Sequence, residues 1–223
     1  FPLPVDFYDN YDTRKAAAVQ DMTISKTMLM RYDLKVYEDS ADANKEETIR
    51  RIDPEQKKRF LDFYGRINAD LKAKNLTGNA LTEWKYQRYM RDYLTTAASL
   101  DRNIGRVLDY LDKNQLAQNT IVIYLSDQGF YMGEHGWFDK RFMYEESFRT
   151  PMVMSYPGVI KPGTRITDFI MNIDLAPTLL QAGGAKIPAD MQGQSFLPLL
   201  KHDKYNSRNA MYYHYYENGE HSV

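Results

Sequence analysis

A long apolar stripe runs straight into a short apolar strand, and this pairing constrains the fold more than any other feature. Between Thr82 and Asn114, apolar side chains recur at Tyr86, Tyr89, Met90, Tyr93, Leu94, Ala97, Leu100, Ile104, Val107, Leu108 and Leu111. Steps of three and four place them on one face of an α-helix, which predicts a helix packed on a core. Thr82 offers an N-cap hydroxyl, and Gly105 marks a close helix contact or a break. Asn119 and Thr120 then introduce Ile121-Val122-Ile123-Tyr124-Leu125. That run suits a strand buried on both faces, as in a parallel sheet. A helix feeding such a strand is half of a βαβ unit, so the pattern predicts an α/β fold.

The flanking segments say less. Residues 1–12 are rich in proline and aromatic side chains and read as irregular chain. Residues 14–37 have weak helical character, and the charged stretch 38–59 reads as an exposed excursion. Residues 151–156 form a second candidate strand, closed by Pro157-Gly158. Residues 174–181 read as a short helix with Asp174 near its N-cap, Pro177 in its first turn and Gly183-Gly184 ending it. Residues 194–200 suit a further short turn of helix.

Composition excludes several classes. The 29 basic and 30 acidic residues nearly balance, so nothing points to nucleic acid or a membrane surface as a partner. No apolar run reaches the roughly 18 residues needed to span a bilayer. The sequence holds no cysteine, which rules out disulfides, thiolate metal sites and a cysteine nucleophile within it. No signal peptide is visible, but the chain opens at Phe1, so that absence says nothing about compartment. Nothing in the sequence sets an oligomeric state.

The chemistry concentrates in residues 126–151, which read S-D-Q-G-F-Y-M-G-E-H-G-W-F-D-K-R-F-M-Y-E-E-S-F-R-T-P. Asp127 and Gln128 stand at the carboxyl end of the predicted strand, where open α/β sheets bind ligands. A carboxylate beside a carboxamide supplies two hard oxygen donors suited to calcium or magnesium; alternatively, Asp127 closes the turn after the strand. Gly129 would let the chain turn sharply. Lys140 is either a charge-stabilising cation or an exposed loop lysine between Asp139 and Arg141. His135 either stiffens its glycine-flanked loop or meets substrate. Arg141 either reads a substrate group as a forked donor or lies on the surface.

Ser126-Asp127-Gln128-Gly129, followed by Gly133-Glu134-His135-Gly136, Lys140, Tyr144-Glu145 and Arg149-Thr150-Pro151, resembles the type I sulfatase pattern of the alkaline-phosphatase superfamily. Other segments resemble it in the same order. They are Pro2-Leu3-Pro4 with Phe7, the helix around Asp101, and Asp174-Leu175-Ala176-Pro177-Thr178 with Gly193-Gln194-Ser195. Asp6 departs from the asparagine common in the first of these. The run Trp137-Phe138-Asp139-Lys140-Arg141 resembles the N-acetylglucosamine-6-sulfatase-like members that act on glycosaminoglycan sugars.

The resemblance implies an α/β alkaline-phosphatase-like fold with a mainly parallel sheet flanked by helices. Residues 1–200 would be the C-terminal portion of the catalytic domain, and residues 201–223 the start of a C-terminal subdomain. It implies a sulfuric ester hydrolase whose substrate is a sulfated sugar or glycan, with Asp127 and Gln128 as ligands of Ca²⁺ (or Mg²⁺) and Lys140 on the sulfate. His135, Arg141, His214 and His221 would bind substrate, the last two from an aromatic C-terminal stretch that reads equally as an ordinary edge strand. The family's formylglycine arises from a C/S-x-P-x-R motif that this sequence lacks, so the nucleophile and two further acidic ligands are expected outside it, and the chain alone is expected to be inactive. An extracytoplasmic location (periplasmic, secreted or lysosomal) is the family's usual one. The alternatives are a phosphodiesterase or phosphonate hydrolase of the same superfamily, and a non-catalytic module that binds sulfated glycans.

Overall fold

A computed structural model describes residues 1–213, together with the backbone of residues 216–217 and 221–222. In chain order the helices and strands are α1 (Lys15–Ala18), α2 (Ser40–Ala43), α3 (Glu47–Arg51), α4 (Pro54–Lys74), α5 (Gly78–Lys113), β1 (Val122–Leu125), β2 (Tyr131–Met132), β3 (Phe138–Asp139), α6 (Glu145–Phe148), β4 (Met152–Ser155), α7 (Leu175–Ala182), α8 (Leu197–Leu200), β5 (Tyr216–Glu217) and β6 (His221–Ser222). The chain divides into a first unit of residues 1–102 with 130–142 and a second of residues 103–129 with 143–223.

In the first unit, Phe7, Ile24, Met28, Leu34 and Tyr86 form the buried core. Segment 14–37 supplies three of these five, although only α1 within it is helical. The charged stretch 38–59 is not a bare excursion, because it contains α2, α3 and the start of α4. The Asp53 carboxylate caps α4 by accepting from the amides of Glu55 and Gln56 at 3.0 and 3.1 Å, and Pro54 takes the first turn. Arg88 fastens α4 to α5. Its guanidinium lies 4.7 Å from the centre of the Tyr64 ring and bonds the Asp92 carboxylate at 2.6 and 2.7 Å.

The predicted long helix exists, but it starts at Gly78. Thr82 is inside it, its hydroxyl bonded back to the Gly78 carbonyl at 3.2 Å, and Gly105 does not break it. Its apolar stripe is buried only near the start, at Tyr86. Leu100, Val107, Leu108 and Tyr110 are exposed, Val107 at 59%.

In the second unit, β1 pairs antiparallel with β4, with Tyr124 opposite Val153 and Leu125 opposite Met152. The expectation of a parallel strand covered on both faces is therefore corrected for these residues. The cross-strand pair Tyr124 and Val153, which must share one face, is 46% and 66% exposed. The core of this unit is built around Phe196, Leu197 and Leu200, and β4 reaches it through Met154. No helix among the described residues is long and apolar enough to cross a membrane.

Candidate active site

Asp127 and Gln128 belong to the second unit; His135, Lys140 and Arg141 belong to the first. Among the described residues, no three His, Cys, Asp or Glu side chains are grouped to hold a metal. His214 and the side chain of His221 lie outside the described residues.

In the second unit β1 ends at Leu125 and the chain turns through Ser126, whose hydroxyl donates to the Gln128 carbonyl at 2.7 Å. The Gly129 amide donates to the Ser147 carbonyl at 2.8 Å. A Cβ on Gly129 would lie 2.0 Å from the Glu146 carbonyl oxygen. The glycine is thus demanded by the close approach of the α6 backbone rather than by the sharp turn the sequence suggested. From the other side, the Asn172 side-chain carboxamide Nδ2 donates to the Asp127 carbonyl at 2.7 Å. The backbone under Asp127 and Gln128 is held on both flanks, with Asp127 exposed and Gln128 half-buried. These are two hard oxygen donors on a fixed backbone. Their chemistry fits calcium or magnesium, but their number falls short of the six to eight oxygens calcium takes.

The tail motif has a structural job. The fully buried Asp174 carboxylate accepts from the amides of Met171 and Gln194 at 2.9 and 2.7 Å and from the Arg208 guanidinium. Burial pushes its pKa up, but the bonds from Arg208, Gln194 and Met171 outweigh burial and hold the carboxyl below the usual range. The Thr178 hydroxyl donates to the Asp174 carbonyl at 2.6 Å and accepts from the Phe196 amide at 3.0 Å. A Cβ on Gly193 would lie 1.9 Å from the Ile173 carbonyl oxygen. Asp174, Thr178 and Gly193 together fasten α7 to the segments around 194 and 208.

In the first unit β2 and β3 form a tight hairpin, Tyr131 opposite Asp139 and Met132 opposite Phe138. Its loop is Gly133-Glu134-His135-Gly136. Gly133 and Gly136 have φ of 111° and 69°, and a Cβ on Gly136 would lie 2.7 Å from the Phe7 carbonyl oxygen. The Glu134 carboxylate accepts from the Met132 amide at 2.7 Å. Trp137, fully buried, packs edge-on against Tyr131 and stacks on Tyr11.

His135 places Nδ1 2.8 Å from the Asp9 carboxylate and 3.1 Å from that of Asp6, and its carbonyl accepts from the Tyr11 hydroxyl. Asp9 also accepts from the Tyr11 amide at 2.9 Å and from Arg14 at 2.7 and 2.8 Å. Burial raises the Asp9 pKa, yet the Tyr11 amide, His135 and Arg14 together bring it below the usual carboxylate range. A groove of about 460 Å³ runs along Pro4, Asp6, Asp9, Arg14 and His135. Asp6 and Asp9 were not legible as partners of His135, because more than 120 residues separate them from it and no local pattern links the two.

Lys140 follows β3 with an exposed side chain. Arg141 is largely buried and lies 2.6 Å from the Asp21 carboxylate and 3.2 Å from that of Asp139. Its guanidinium therefore sits between two carboxylates, not on the open surface.

Several known proteins resemble this chain. The family described as "N-sulphoglucosamine sulphohydrolase, C-terminal" matches residues 133–223. The N-acetylglucosamine-6-O-sulfatase of Bacteroides thetaiotaomicron is 45% identical over the whole of this chain, which covers 42% of that relative. A protein solved in complex with its substrate D-glucosamine-2-N,6-O-disulfate superposes with a TM-score of 0.90 at 44% identity, over 98% of this chain and 46% of that one. Along its whole length the chain is similar to sulfatases. It has the α/β, alkaline-phosphatase-like fold of these relatives and spans less than half of their length. A phosphonate monoester hydrolase from Silicibacter pomeroyi also matches, with a TM-score of 0.53 and 29% identity over 59% of this chain and 25% of that one.

Proposed function

We propose that these 223 residues serve a sulfuric ester hydrolase that removes sulfate from an amino sugar of the glycosaminoglycan type. The observation that carries this reading is the 45% identity to an N-acetylglucosamine-6-O-sulfatase along the entire chain. Asp127 and Gln128 would hold a divalent cation, calcium or magnesium, with further donors from outside this sequence. Such an ion neutralises the sulfate and orients it for attack. Lys140 would contact the sulfate and the leaving oxygen, stabilising the charge that develops as the S–O bond breaks. Arg141, His135, His214 and His221 would contact the sugar. The nucleophile in this reading is a formylglycine, again from outside the sequence. An extracytoplasmic setting accords with this family.

The likeness to a phosphonate monoester hydrolase supports a second reading, in which the same corner serves a phosphorus ester. In an enzyme that contains these residues and the upstream nucleophile, release of sulfate from N-acetylglucosamine 6-sulfate, measured beside hydrolysis of an aryl phosphonate monoester, separates the two. The sulfatase reading expects kcat/KM to favour the sulfate ester by at least about a hundredfold, a difference of roughly 2.7 kcal/mol. A preference for the phosphonate overturns it, and binding of the sulfated sugar without turnover would mark a non-catalytic module.

A further inference from the structure

We infer that Lys85 is a positioning residue for the segment 135–141, which carries His135, Lys140 and Arg141. Lys85 lies on α5 with only 5% of its surface exposed. An ammonium group is rarely buried without compensation. Its Nζ donates to the carbonyls of Ile24, Ser25 and Met28 at 3.2, 3.2 and 3.3 Å, which uses all three of its protons. Burial lowers the Lys85 pKa, and the nearby Asp33 carboxylate opposes that shift.

The turn that Lys85 grips is joined to the loop by its other edge. The Ile24 amide donates to the Gly136 carbonyl at 2.9 Å, and the Phe138 amide donates to the Met22 carbonyl at 2.9 Å. Thr23 and Trp137 form the bridge between those bonds. Just before, Asp21 pairs with Arg141 at 2.6 Å. Ile24 is the link, since its carbonyl accepts from Lys85 and its amide donates to the residue after His135. Residues 22–24 are thereby tied to the hairpin by two backbone bonds and one bridge, with the Lys85 ammonium fixing their far end. An apolar side chain could fill the same space, but it would leave the buried carbonyls of Ile24 and Met28, and the part-buried one of Ser25, without this donor.

The catalytic consequence rests on the sulfatase reading, whereas the positioning itself does not. Lys85→Met should raise amide exchange at Ile24 and Phe138 about tenfold in the 223-residue chain, leaving the Gly183 amide of α7 as it was. Lys85→Gln, which keeps two donors, should give a smaller rise at the same two amides and serves if the Met variant does not fold. Unchanged exchange at Ile24 and Phe138, or an equal rise at Gly183, overturns the inference. In a sulfatase containing these residues, Lys85→Met should lower kcat about tenfold with bound metal unchanged. Unaltered kcat beside raised exchange would overturn the catalytic role. A parent enzyme that releases no sulfate would instead overturn the function reading, and the exchange comparison would still decide the positioning.

Discussion

Asp174 shows how much a single side chain can hold. It is buried, and three donors from three separate segments converge on it. Removing the carboxylate strands the Arg208 charge and two amides. Asp174→Ala should therefore cost about 3–5 kcal/mol of stability, readable as a lower denaturant midpoint. The pH dependence follows from sign. Asp174 and Asp9 both have folded pKa values below their unfolded ones. Their contribution is fully present above the unfolded value of ~3.9 and is lost as pH falls through the folded values. Thermal stability should thus drop steeply on acidification below about pH 4, and Asp174→Asn should flatten that drop. A variant as acid-sensitive as the parent would contradict the assignment. The sequence marked Asp174 as a helix cap and as part of a shared motif but not its partners, because Gln194 and Arg208 lie 20 and 34 residues away.

At the scale of elements, local pattern succeeded where local forces decide. α5, β1, β4 and α7 were legible from periodicity and β-branching. The bridge that ties residues 22–24 to the hairpin was not, because Met22 and Ile24 are ordered by partners 112 or more residues downstream and by Lys85. The antiparallel pairing of β1 was also hidden, since an apolar run signals burial and not the direction of its partner. The role of Gly129 follows from that pairing layer. Gly129→Ala would force the α6 backbone away and should destabilise the chain by about 1–3 kcal/mol, while weakening any metal bound through Asp127. Conversely, the exposed part of the α5 stripe contributes little within this chain. Val107→Lys should change its unfolding free energy by less than about 0.5 kcal/mol; a loss of several kcal/mol would show that Val107 is buried.

For the molecule as a whole, the sequence supplies part of a chemistry. Two candidate metal donors, one candidate sulfate-binding lysine and a candidate sugar-contacting set are present, and no C/S-x-P-x-R motif is. The purified 223-residue chain should show no turnover of an aryl sulfate and should bind calcium weakly, with calorimetry and a chromogenic ester as the checks. The candidate site residues were nominated by motifs shared with sulfatases; the contacts that fix His135 and Arg141 were not legible, because the carboxylates of Asp9 and Asp21 lie more than a hundred residues away in sequence.

In the proposed reading Asp127 serves a metal and Lys140 serves the sulfate. Metal content measured beside turnover, in a sulfatase containing these residues, tests it directly. Asp127→Ala should lose both the metal and the activity. Lys140→Ala should keep the metal and lose about 10²–10³ in kcat. An Asp127→Ala enzyme that retains metal and rate, or a Lys140→Ala enzyme that loses its metal, would contradict the account.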